Sequence, residues 1–167
     1  MTTSMFEIEE GYTTGLIASV TLLHATTYQQ ISGFGQAFEA KVASEMAEFT
    51  GRLSHPKNNI WYVRENDEIV GSISIDGQDL GSNIAHLRWF IVDERTRGSG
   101  LGRKLITTAI QFCDETGFSE IHLWTFKGLD AARKLYEDNG FELTDEKPGS
   151  QWGTRVIEQK FIRKRPQ

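Results

Sequence analysis

Cysteine is almost missing from this sequence. Cys113 stands alone, so no internal disulfide can form, and no Cys/His group has metal-ligand spacing. No metal is expected. Long apolar runs are missing too: none approaches the ~18 residues that a membrane helix needs, so no membrane partner is expected. The opening segment, MTTSMFEIEEG, lacks the basic stretch and following apolar stretch of a secretion signal. A cytoplasmic location is the expectation. Positive charge is not in surplus either, since 18 Lys and Arg stand against 23 Asp and Glu for a net charge of −5. That balance argues against a nucleic-acid surface, which is normally basic, while leaving room for a local cationic pocket.

What is present is an ordinary globular composition. The 167 residues, 38% hydrophobic and 25% charged, suffice for a full core and are read as one domain over 1–167. Helical spacing of Leu16, Val20, Leu23 and Thr27 predicts a helix over about 14–30. Phe38, Val42, Met46, Phe49 and Leu53 predict a second over about 35–53, with Gly33 and Gly35 at the join. IWYVREN (60–66) and EIVGSISIDG (68–77) read as two strands around an Asn66-Asp67 turn. AHLRWFIV (85–92) is a third strand, followed by a helix with Leu101, Leu105, Ala109 and Phe112 on one stripe. SEIHLWTF (119–126) is a further strand, and a helix over about 129–137 stops at Asn139-Gly140. FELTDE (141–146) and TRVIEQKFI (154–162) close the chain as a hairpin around a Pro148-Gly149 turn. The fold class is α/β with a mixed sheet.

Between AHLRWFIV and the next helix runs RTRGSGLGRK, Arg95 to Lys104. Glycines beside arginines at a helix entrance suit an anion, because bare backbone N–H groups can approach it and the helix dipole is positive there. Two familiar phosphate loops fail on spacing. A P-loop needs Gly-Lys-Ser/Thr, whereas Gly102 is followed by Arg103 and Lys104; a dinucleotide fingerprint needs G-x-G-x-x-G, whereas Gly98, Gly100 and Gly102 are evenly spaced. What remains, Arg97-x-x-Gly100-x-Gly102 after a strand and before a helix, resembles the central signature of the GNAT N-acetyltransferases. A second stretch, AARKLYEDNGF (131–141), resembles that family's later motif, with a tyrosine shortly before Gly-Phe. The segments HLRWFIVD, LWTF and WG are similar to the acetyltransferase half of proteins in which a GNAT domain follows a MarR-type DNA-binding domain.

The resemblance implies a mixed central sheet of about seven strands with about four helices on its faces, and acetyl-CoA as co-substrate. It implies that Arg97, Gly98, Ser99, Gly100, Leu101 and Gly102 bind the pyrophosphate, with Arg103 and Lys104 either at the ribose phosphate or in water. Backbone N–H groups of Phe90, Ile91 and Val92 would polarise the thioester carbonyl. Tyr136 matches the tyrosine that protonates the departing thiolate. Counting back six residues from Val92 reaches His86, the candidate base; a structural histidine is the alternative, with Glu39 or a water chain then taking its place. Many family members carry Asn seven residues before the tyrosine, where this chain has Leu129, so Thr125 or Lys127 would have to supply the polar contacts. The acceptor pocket is expected between the first two helices and the central strands, walled by Tyr28, Phe34, Phe38, Glu39, Arg88, Trp89, Trp124 and Trp152, with Glu39 anchoring a small primary amine. His24 and Cys113 are read as structural. The expected function is acetyl transfer from acetyl-CoA to a small-molecule amine. A non-catalytic acyl-CoA-binding module and a protein N-acetyltransferase are the alternatives, and a homodimer is left open.

Overall fold

A computed structural model describes residues 6–167. The described chain forms β1 (Ile8–Glu10), α1 (Leu16–Ser32), α2 (Gln36–Thr50), β2 (Asn59–Glu65), β3 (Glu68–Asp76), β4 (Ile84–Val92), α3 (Leu101–Thr116), β5 (Glu120–Phe126), α4 (Asp130–Asp138), β6 (Glu142–Gly149) and β7 (Val156–Lys164). The strands make one sheet in the order β1-β2-β3-β4-β5-β7-β6. Only β4 and β5 run parallel; every other neighbouring pair is antiparallel. This is the mixed, seven-stranded sheet with four helices that the family resemblance implied.

Local chemistry sets most boundaries. Asn66 and Asp67 both adopt positive φ, as a two-residue turn between right-twisted strands requires, and they pin the β2–β3 register. Helix α1 ends at Gly33, whose φ of 69° lets its N–H return to the Gln29 and Tyr28 carbonyls. One predicted turn is misplaced. Pro148 and Gly149 lie inside β6, opposite Ile157 and Val156, and the chain reverses after them. β6 is an edge strand, so the N–H that proline lacks is not needed for an outer ladder.

Two cores sandwich the sheet. Leu101, Leu105, Ile106, Ala109 and Cys113 of α3 pack with Ile73, Ile75 and Phe161 on one face. Leu16 and Val20 of α1 and Phe38, Val42, Met46 and Phe49 of α2 pack with Ile60 and Tyr62 on the other. Phe112, placed on the buried stripe by its spacing, is only half-buried and meets Trp61 edge-on at 5.2 Å. Alternation along β3 sends Ile73 and Ile75 towards α3 and Ser72, Ser74 and Asp76 to the opposite face, a buried polar row beneath α1 and α2. Among the described residues no helix is long and apolar enough to cross a membrane.

Candidate active site

The parallel pairing of β4 with β5 covers only Ile84–His86 against Glu120–His122. Beyond it the strands part, and the β5-facing backbone of β4 has no strand partner. A cavity of about 190 Å³ occupies the fork, lined from one side by Leu87–Phe90 and from the other by Leu123–Phe126. The divergence coincides with a bulge. Ser72 pairs with Ile91 and Ser74 with Arg88, so Trp89 and Phe90 together oppose Ile73. Trp89 sits at φ 50°, a conformation that costs a bulky residue about 1–2 kcal/mol. It is held there by the Ser72 hydroxyl, which donates to the Trp89 carbonyl at 3.1 Å, by the Arg88 guanidinium 4.1 Å from its ring, and by Phe49 at 5.4 Å.

At the end of β4, the glycine loop divides its labour. Gly98 and Gly100 have φ of 80° and 85°, which side chains disfavour, while a Cβ on either would meet nothing. Gly102 is different: a Cβ there would lie 2.9 Å from Leu135 Cδ1, so its absence lets α3 close on α4 and β4. The N-terminus of α3 has no side-chain cap apart from a 3.3 Å bond from the Leu101 N–H to Ser99 Oγ. The exposed Arg97 side chain forms no ion pair among the described residues, whereas Arg103 is tied to Asp138 at 3.0 Å. A helix N-terminus with a single long side-chain bond, a left-handed glycine loop and a guanidinium without an ion pair among the described residues fit a pyrophosphate.

Titratable groups on and behind the cavity wall fall into two sets. His86 Nδ1 lies 2.7 Å from Asp79 Oδ2. A carboxylate can only accept, so Nδ1 carries the hydrogen and Nε2 of the neutral ring presents a lone pair. Arg88 reaches Glu45 at 3.0 Å, the fully buried Asp76 at 3.2 Å and Asp79 at 3.8 Å. Burial alone would raise the pKa of Asp76, but hydrogen bonds from Arg52 and from the Gln78 and Asp79 N–H groups outweigh it and bring the value to about 2. Across the cavity stand the phenols. Burial pushes Tyr28 up to about 12 against the pull of Arg97, and pushes Tyr136 far above its usual value, with Tyr28 adding to the rise. Tyr136 therefore keeps its proton. His24, whose Nδ1–H donates to the Val20 carbonyl at 2.8 Å, is drawn down to about 4 by burial.

The structure thus gathers Tyr28, Phe90, Trp124, Tyr136 and His86 around one cavity, with Phe38, Arg88, Trp89, Thr125 and Trp152. It does not bring two expected wall residues there. Phe34 is buried behind the wall, against Phe38, Phe126 and Trp152. Glu39 is exposed on α2, outside the cavity lining; the α2 acid that reaches the cavity is Glu45. Asp79 and Glu45 went unnoticed in the sequence because neither spacing nor motif ties them to β4. His24 lines the cavity although its helical position marked it as structural. Cys113 is buried, and burial raises its thiol far above the ordinary range.

Comparison with known proteins places this chain in a family. The model of the acetyltransferase (GNAT) family matches residues 23–141. The chain is 24% identical to human N-acetyltransferase 8 over 145 residues, covering 84% of this chain and 64% of that protein. It is 24% identical over 147 residues to N-acetylaspartate synthetase of Danio rerio, covering 87% and 52%. A Salmonella typhimurium structure solved with its cofactor acetyl-CoA superposes with a TM-score of 0.74 at 17% identity, over 95% of this chain and 93% of that one. The chain spans less than two thirds of the length of these curated relatives. It belongs to the GNAT acetyltransferase family.

Proposed function

We propose that this protein moves the acetyl group of acetyl-CoA to the primary amine of a small molecule, with His86 as base and Tyr136 as acid. One observation carries the reading: His86 and Tyr136 line the same cavity, in the fork of β4 and β5, with the bulged strand between them. Acetyl-CoA, when bound, supplies an acetyl group already activated as a thioester. Arg97 and the N-terminus of α3 hold its phosphates, and the unpaired backbone of β4 from Leu87 onward receives the arm as a strand would. The amine attacks the carbonyl carbon as the carbon–sulfur bond breaks. His86 Nε2 takes the proton that the nitrogen loses, while the Tyr136 hydroxyl gives one to the sulfur. Asp79 keeps His86 in the accepting tautomer and balances its charge once protonated. The aromatic walls exclude water and hold the amine against the carbonyl.

A small acceptor is favoured by the modest size of the cavity, about 190 Å³, and by the aromatic rings of Tyr28, Phe38, Trp124 and Trp152 along its walls. The name of the Danio rerio relative, an N-acetylaspartate synthetase, supports the same class. The resemblance of HLRWFIVD, LWTF and WG to MarR-fused domains, which rests on the sequence alone, favours a second reading, an acyl-CoA-binding regulatory module. Thiol release from acetyl-CoA, assayed across amines, amino acids, polyamines and peptides, separates the two. Turnover with a small amine supports the enzyme; acetyl-CoA binding without turnover supports the module, and turnover with peptides alone supports a protein acetyltransferase.

A further inference from the structure

The cavity does not end at Trp124. A second hollow of about 150 Å³ lies beyond that indole, over β5, β6 and β7, and Trp124 and Gln151 line both spaces. The charges along this path are unequally matched. In the main cavity Lys41 is paired with Glu45 at 2.9 Å, and Arg88 with three carboxylates. In the second hollow Lys147 lies 4.0 Å from Asp145, and Glu158 accepts the Gln151 N–H at 2.9 Å. Lys160 alone among the cations lining the two spaces has no carboxylate within ion-pair distance among the described residues. Its ammonium rests 5.0 Å from the Trp124 ring, half-buried, with an aromatic face in place of a counter-ion.

We propose that the second hollow receives an anionic group of the acceptor, a carboxylate or phosphate, with Lys160 as its counter-charge. This rests on the acetyltransferase reading for the amine's position beside His86. The His86 ring is also 5.0 Å from the indole, and β5, which carries Trp124, runs between β4 with His86 and β7 with Lys160. An acceptor meeting both carries its amine and its anion a few carbons apart, and lays that spacer over the indole. Neutral alkylamines would leave the Lys160 charge unmatched, and diamines would bring a second cation against it.

The test uses acceptors of one length: 5-aminopentanoate, pentylamine and 1,5-diaminopentane, with 4-aminobutyl phosphate to distinguish carboxylate from phosphate. Each is titrated calorimetrically into the protein with coenzyme A present, and each is assayed for turnover with acetyl-CoA. The intact protein should bind an anionic amine about tenfold more tightly than pentylamine, the size of one charge-assisted hydrogen bond. Lys160→Gln should erase that difference, and Lys160→Glu should make the diamine the best ligand, with the KM for acetyl-CoA unchanged in both. Equal affinity for the anionic and neutral amines in the intact protein would overturn the proposal, as would an equal loss for all three in Lys160→Gln. Should acetyl-CoA bind and no amine turn over, the acetyltransferase reading falls, while the titrations still decide the role of Lys160.

Discussion

His86 and Asp79 meet at 2.7 Å across a turn in which Gly81, Ser82 and Asn83 all adopt positive φ. The turn brings the carboxylate back beside β4 and leaves Nε2 as the imidazole nitrogen with a lone pair. Asp79→Asn can donate to Nδ1 and so favours the opposite tautomer. Turnover should fall on the order of 10²-fold, with the KM for acetyl-CoA little changed. His86→Gln should lose the acidic limb of the rate–pH profile. Steady-state kinetics across pH checks both, and an unaltered profile in His86→Gln would make the histidine structural.

Tyr136 is packed among Phe90, Phe141 and Phe161, so its ring is part of the core as well as the site. Tyr136→Phe keeps that packing and removes only the transferable proton. We expect turnover to drop roughly 10²-fold, with acetyl-CoA affinity and thermal stability nearly intact. Unchanged turnover would assign the thiolate's proton to water.

The loop glycines should fail in different ways. Gly100→Ala meets no neighbour but strains a φ of 85°, so it should lower stability by about 1–2 kcal/mol and weaken acetyl-CoA binding. Gly102→Ala pushes Leu135 aside and should loosen α3 from α4. In the parent, acetyl-CoA at 100 times its Kd should stabilise the fold by about 2.7 kcal/mol. Thermal shifts with and without acetyl-CoA test all three, and an undiminished shift in Gly100→Ala would remove the loop from the binding site.

His24 makes stability depend on pH. Its folded value of about 4 lies below the ordinary 6.5, so on acidification the unfolded chain takes up the proton first. The stabilising effect of keeping this ring neutral is therefore complete above pH 6.5 and is lost progressively between 6.5 and 4, amounting to about 3 kcal/mol. Asp76 acts lower, its contribution being present above the ordinary 3.8 and lost as pH falls through about 2. Urea midpoints measured from pH 7 to 4 should slope less in His24→Phe than in the parent. Parallel slopes would show that His24 does not carry the dependence.

Much of this was legible because it is local in sequence. The glycine spacing, the Leu-Tyr-Glu-x-x-Gly-Phe context of Tyr136 and the Asn66-Asp67 turn each lie within a few residues and carry their own backbone geometry. The contacts that complete the cavity span elements: Glu45 with Arg88, Asp76 with Arg52, Lys160 with Trp124. No spacing encodes those, because they depend on how α2 lies over β3 and β4 and on the β5–β7 register. Glu39 and Glu45 show the difference, since both are acids on α2 and only the packing of the helix decides which one faces inward. Trp89 was opaque for another reason. Bulky residues avoid positive φ, and only the buried Ser72 hydroxyl and its neighbours hold it there.

The fork between β4 and β5 separates two kinds of inheritance. On one flank the gap is bordered by peptide groups, which every amino acid has, so along β4 only proline, which lacks the N–H, deletes the backbone feature proposed to receive the donor. What is proposed to judge the acceptor is side chain: the wall of α2, the indole of Trp124, the ammonium of Lys160. On that reading the molecule can drift more freely in its choice of recipient than in the backbone share of its hold on the donor. A strand-shaped compound slotted into the gap would therefore be hard to escape by mutation, whereas one that imitates the recipient would be easy.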